Sequence, residues 1–236
     1  MRQAIHPVRR TLAAARVSSG IGDRGGVSYG AYQLNSKSGD KVRDFLRTEG
    51  APWQPQFAGL DETVSGGPFE KKWKEIATAT PQSFFNAQHA YIRRTNYGQT
   101  IARVETDTGI NLDTFSIAVR NVVWSVSVQH GGAFIILERA LHDLNRQDLR
   151  NLSFMAQPAR KISENPFVTY SAEEKFDAFI FEMAYKIFER DLIMAIYRER
   201  KSYLHTDTKM SARSITDNEN RYVKELPDAL AELDTR

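Results

Sequence analysis

The chain has no cysteine in its 236 residues. That excludes a disulfide framework, thiolate zinc sites and a cysteine nucleophile, and it leaves stability to packing. No run approaches the roughly 20 consecutive apolar residues that span a bilayer, so no membrane span is expected. The opening Met1-Arg-Gln-Ala-Ile-His-Pro-Val lacks the apolar stretch of a signal peptide. The five histidines (His6, His89, His130, His142, His205) never fall four apart on one helix and no carboxylates complete a metal set, so neither metal nor cofactor is expected. No G-x-S-x-G elbow supports a serine nucleophile. One absence is local: residues 1 to 22 hold Arg2, Arg9, Arg10 and Arg16 but no Asp or Glu, so 1–16 reads as a basic arm or first helix.

What is present suits one large domain or two small ones, with 41% hydrophobic and 26% charged residues. The formal charge of +3 fits any anionic partner, whether nucleic acid, membrane surface or cell-wall polymer, and selects none. Nucleic acid ranks lowest, because no cluster interleaves basic and aromatic side chains.

Along the chain, five glycines lie between Ser18 and Gly30, and Tyr32 and Leu34 follow in what reads as a short β region. Residues 40 to 92 predict two or three short helices, broken at Gly50-Ala-Pro52, Ser65-Gly-Gly-Pro68 and Pro81, with Phe69, Trp73, Ile76 and Ala77 at helical spacing. Residues 114 to 141 conflict: Val122, Trp124, Val126 and Val128 alternate like a strand, yet the run is long enough for a buried helix. Residues 173 to 199 give the clearest helix, with Phe176, Phe179, Ile180, Met183 and Ile187 on one face, expected to be core. A last helix is expected around Asn218 to Leu226, stopping before Pro227, in a polar extension over 201–236. No linker or repeat cuts the chain, which predicts a single domain over 17–236.

Gly20-Ile-Gly22-Asp23-Arg24-Gly25 matches the letters of a dinucleotide loop, but no strand precedes it, no helix follows, and Asp23 would stand where a pyrophosphate sits. It reads either as a tight turn or as a place where the backbone passes close to a ligand with Asp23 pointing into a cleft. Gln129-His130-Gly131 interrupts an apolar segment, so His130 either lines a cleft or is a satisfied core histidine.

The segment from Ser18 to Gly39 closely resembles the signature of lysozyme-like, chitosanase-related domains of bacteriophage proteins and of the C-termini of type VI secretion spike proteins. Phe69-x3-Trp73, Pro81-x2-Phe84-x3-Gln88, and Val123 to Gly131 resemble later blocks of that family in the same order. Ile196 to Arg200 and Asn220 to Glu225 resemble its closing ones. Ordered blocks are more specific than a single motif. The resemblance implies a mainly α fold with a small β hairpin, the two-lobed lysozyme-superfamily fold around a cleft, on which residues 114 to 141 become the buried helix. It implies peptidoglycan as partner, with Ser28, Tyr32, Gln33, Gln129 and His130 lining the substrate cleft. It also implies other phage or secretion-apparatus chains as partners. Localisation follows: a virion, or host cytoplasm with delivery to the cell wall or periplasm.

Glycan cleavage needs two carboxyl groups, one to protonate the leaving oxygen and one to hold water or stabilise the cationic transition state. On the resemblance Asp23 is the second. The family's acid is a glutamate about fifteen positions earlier, near Val8 here, and the first glutamate of this chain is Glu49. Three explanations stand: a relocated acid (Glu49, Asp61 or Glu62, with Asp40 a fourth candidate), an acid from a partner chain, or a domain that no longer cleaves glycan. The last carries most weight, because a whole acidic-free leader replaces the motif. The competing expectations are therefore a muramidase-type hydrolase and a catalytically dead structural component of a phage tail, baseplate or virion.

Overall fold

The computed structural model describes residues 12–20, 25–37, 39–144, 169–206 and 210–235. It is mainly helical with a small three-stranded antiparallel sheet, as the sequence predicts. The chain divides into two compact units, residues 1–98 and 99–236.

In the first unit, β1 (Val17–Ser18), β2 (Ser28–Tyr29) and β3 (Leu34–Asn35) pair in sequence order, with Ser28 opposite both Ser18 and Asn35. Leu34 lies in a strand as expected, whereas Tyr32 sits in the turn between β2 and β3. The helices that follow are α1 (Lys41–Arg47), a 3-10 segment (Ala51–Phe57), α2 (Pro68–Ala79) and α3 (Pro81–Ile92), and the unit closes on a π-helical stretch, Arg93–Gly98. The expected breaks lie at the starts of these elements, since Pro52, Pro68 and Pro81 occupy first turns where a missing N–H costs nothing. The core is aromatic. Trp73 is fully buried, with ring centroids of Phe84 at 4.8 Å, Tyr29 at 5.2 Å and Phe45 at 5.7 Å. Its Phe69, Ile76 and Ala77 neighbours on α2 are buried too.

The second unit holds α4 (Gln99–Thr108), a 3-10 turn (Leu112–Thr114), α5 (Ile117–Gln129), α6 (Ala133–Asp143), α7 (Ala172–Leu204) and α8 (Ala212–Asp234). The conflicting stretch 114–141 is thus helical, but as two helices rather than one. The α5 helix ends at His130, whose extended backbone (φ −117°, ψ 123°) turns the chain before α6 starts at Ala133. Ser116 caps α5, and the buried Glu189 of α7 accepts a bond from the Ser116 N–H at 2.6 Å, placing an anion on that helix N-terminus. A capping box of Ser171 and Glu174 starts α7.

Two expectations about these helices change. The α8 helix runs through Pro227 to Asp234 instead of stopping before it. The stripe Phe176, Phe179, Ile180, Met183 and Ile187 is exposed, not core. The face of α7 that packs inward is instead carried by Ala178, Phe188, Leu192, Ile193 and Ile196, concentrated in its C-terminal half.

Candidate functional site: the glycine-rich loop and two supporting networks

The glycine-rich segment is held by residues of the later blocks. Ala14 offers its carbonyl to the Trp73 indole N–H at 2.8 Å and to the Gln88 amide at 3.3 Å, while Gln88 Oε1 accepts from the Ala31 N–H at 2.9 Å. Gln88 is fully buried, so one amide ties the chain before the loop to the turn after it. Gly30, with φ +78°, is why this works: a Cβ there would stand 2.3 Å from Gln88 Oε1. At the loop's entrance Gly20 lies so close to Gly26 that a Cβ would be 1.9 Å from its carbonyl oxygen. The glycines therefore bring backbone against backbone and against Gln88. Asp23 itself lies outside the described residues, as do Arg2, Arg9 and Arg10.

The residues expected to line a cleft are placed as follows. Ser28 is buried in the central strand. Gln33 adopts a left-handed backbone (φ +52°); its side chain donates to the Gly30 carbonyl and accepts from Ser18 Oγ, both at 2.9 Å. Tyr32 OH lies 2.6 Å from His89 Nδ1, beside the Phe85 ring, and burial pushes its phenol up to about 12. His89, on the same turn of α3 as Gln88, was not singled out from the sequence. Only the block spacing around Gln88 pointed there.

The candidate acids of this unit are all hydrogen-bonded or ion-paired. Glu49 takes a bidentate contact from Arg94 at 2.7 and 3.0 Å, and that bond holds its carboxyl down at about 2. Asp61 accepts from the Thr63 hydroxyl and N–H at 2.7 and 2.8 Å, bonds that hold it below the usual carboxylate range. Glu62 is buried against Arg43 (2.5 and 3.2 Å), and its backbone carbonyl receives the Tyr29 hydroxyl at 2.9 Å. Asp40 pairs with Arg47 at 3.0 Å. Asp61 and Glu62 do line an open cavity of about 690 Å³, with Arg43, Arg47 and Gln54 on its walls. A general acid must carry a proton near neutral pH, and salt bridges and donated hydrogen bonds favour the opposite state.

In the second unit, Gln129 and His130 meet residues of the two closing blocks around Arg200. This guanidinium is fully buried. It donates to Gln129 Oε1, to Ser125 Oγ at 3.2 Å and to Glu225 at 3.2 Å, and it lies over the Tyr222 and Tyr197 rings at 4.1 and 4.8 Å. His130 Nε2 lies 2.9 Å from the Tyr222 hydroxyl, and burial, with Arg200 and Arg221 adding to it, pulls the imidazole down to about 4. A neutral histidine here has its partner, so the polar interruption seen in the sequence is satisfied. One carboxyl in this unit departs upward: burial, then the neighbouring Asp107, raises Glu138, and one of its oxygens is buried with no partner. No sequence signal marked it. Among the described residues no group of three or more histidine or carboxylate side chains could hold a metal, and no helix is long and apolar enough to cross a membrane.

The chain is 33% identical over 133 residues to the type VI secretion system spike protein VgrG3 of Vibrio cholerae serotype O1 (strain ATCC 39315 / El Tor Inaba N16961). The match covers 56% of this chain and 12% of that relative, so the chain spans a small part of the relative's length. The family model described as type VI secretion system spike protein VgrG3-like, C-terminal, matches residues 10–176, which takes in the glycine-rich segment, the Trp73 and Gln88 blocks and the His130 break. The chain belongs to this VgrG3-like C-terminal family of type VI secretion spike proteins.

Proposed function

We propose that this chain is a wall-directed module of a type VI secretion spike that keeps a two-lobed lysozyme-like fold to contact peptidoglycan glycan strands without cleaving them. Other chains of the apparatus are its protein partners, and the periplasmic wall is where it acts. Asp23 of the glycine-rich segment and Tyr32 both contact the glycan. The observation that carries the non-cleaving reading is the state of Glu49, Asp61 and Glu62. Hydrogen bonds from Arg94 and Thr63 hold the Glu49 and Asp61 carboxyls low, away from the proton that the leaving oxygen needs, and both Glu62 oxygens are taken up by Arg43. Residues 1–22 contribute no carboxyl either.

A second reading, a muramidase-type hydrolase with a relocated acid, is favoured by one observation: Asp61 and Glu62 line an open cavity of about 690 Å³. The deciding assay incubates the full chain with purified peptidoglycan and measures co-sedimentation and released reducing ends. The expected result is co-sedimentation with no release. Release that disappears in Asp23→Asn overturns the non-cleaving reading, and parallel loss in Glu62→Gln or Asp61→Asn identifies the acid.

A further inference from the structure

Two stretches of the first unit carry no Lys, Arg, Asp or Glu, although such residues make up 26% of the sequence. Residues 25–36 hold β2, β3 and the turn between them, and residues 76–92 hold the end of α2 and all of α3. The fold brings the two together. The Ala31 N–H donates to Gln88 Oε1 at 2.9 Å, and the Tyr32 hydroxyl lies 2.6 Å from His89 Nδ1.

What they present where they meet is set by the helix. On α3, Gln82, Phe85, Asn86 and His89 are spaced by three, one and three, which puts them on one face. The packing face is a different one, since Phe84, Gln88, Tyr91 and Ile92 are buried. Gln82, Asn86 and His89 are exposed, and Phe85 is half-buried. The Phe85 and His89 rings stack with centroids 6.5 Å apart and planes 10° apart, and the Tyr32 ring completes the group at 6.4 Å from Phe85 and 6.0 Å from His89. Gln82 donates its amide to Asn86 at 2.6 Å. Three rings and two amides therefore share a surface to which neither stretch adds a fixed charge.

That chemistry selects a kind of ligand. A sugar ring has apolar C–H faces that pack on aromatic rings, and an acetamido group needs one donor and one acceptor, both of which an amide side chain carries. A carboxylate-bearing or cationic ligand finds no opposite charge on these side chains. Five side chains are too few for a protein partner, whose interface takes about 20–30 residues a side.

We propose that Tyr32 and the face of α3 bearing Gln82, Phe85, Asn86 and His89 form a subsite for a neutral 2-acetamido sugar, with the sugar ring against Phe85 and Tyr32 and its acetamido group on Gln82 and Asn86. The subsite rests on the wall-directed reading for the source of that sugar, and it adds which sugar is chosen: one without a carboxyl group.

The test follows the isotope-labelled full chain by nuclear magnetic resonance during titration with tri-N-acetylchitotriose and, in parallel, with its deacetylated trimer. The acetylated trimer should shift the backbone amides of residues 82–89 and of Tyr32, and the deacetylated one should bind about fivefold more weakly or worse. Affinity for the acetylated trimer should change by less than about twofold between roughly 50 and 500 mM salt. Phe85→Leu keeps an apolar side chain and removes the ring, while Asn86→Ala acts at an exposed site and tests the subsite without disturbing packing; each should weaken binding about fivefold. Shifts confined to other elements, equal binding of the two trimers, or full affinity in Asn86→Ala overturn the proposal. Co-sedimentation of the wild type with peptidoglycan separates the two readings. Co-sedimentation without shifts on α3 overturns the subsite and leaves the wall-directed reading standing, whereas shifts on α3 without co-sedimentation support the sugar subsite and overturn the wall as its source.

Discussion

Arg200→Met probes whether the network that gathers the closing sequence blocks holds the second unit together. The substitution keeps side-chain length and removes the charge. Gln129 Oε1 and Ser125 Oγ, which accept from the guanidinium, then lose a donor inside the unit, at about 1–2 kcal/mol each. The cation over the Tyr197 and Tyr222 rings adds about 0.5–2 kcal/mol per ring. Against these stands the desolvation of a fully buried guanidinium, which methionine avoids; the Arg200 Nε has no partner, so this penalty is only partly offset in the wild type. Glu225 is not stranded, since Arg221 also binds it. The net expectation is a loss of about 3 kcal/mol, or a fall in melting temperature of roughly 6–12 °C for a chain this size. Urea unfolding of Arg200→Met, Gln129→Leu and the double variant measures it, with a coupling above about 1 kcal/mol expected between the two sites. A variant as stable as wild type, or more so, would refute the reasoning, because the buried cation would then be a net cost that packing alone carries.

Two further outcomes follow from the geometry. Gly30→Ala places a Cβ 2.3 Å from Gln88 Oε1 at φ +78° and should cost about 2–4 kcal/mol in thermal unfolding; adding Gln88→Ala should recover part of the loss, and no recovery would show that backbone strain alone sets the cost. His130 titrates near 6.5 in the unfolded chain and near 4 in the folded one, so the unfolded chain binds more protons between those values. Its contribution to stability is complete above pH 6.5 and is lost as pH falls toward 4, by about 3 kcal/mol at most, and His130→Gln should flatten that part of a stability–pH curve measured by urea titration.

The parts of this protein legible in its sequence are those set by local chemistry. Proline at helix starts fixed the breaks before Pro52, Pro68 and Pro81, and glycine density marked the segment that must fold back on itself. The ordered blocks as far as Gly131 were legible as a family signature, but their physical role was not. Trp73 and Gln88 matter because both reach the carbonyl of Ala14, 59 and 74 residues away in the chain, and no periodicity encodes a contact of that span. The same holds for Arg200, which reads as one of several arginines on a charged helix and becomes a fully buried cation because Gln129, Tyr222 and Glu225 converge on it. Misreading the stripe on α7 has a sharper cause. Helical spacing identifies an apolar face but not what covers it, and α7 carries two such faces, of which Leu192, Ile193 and Ile196 take the interior.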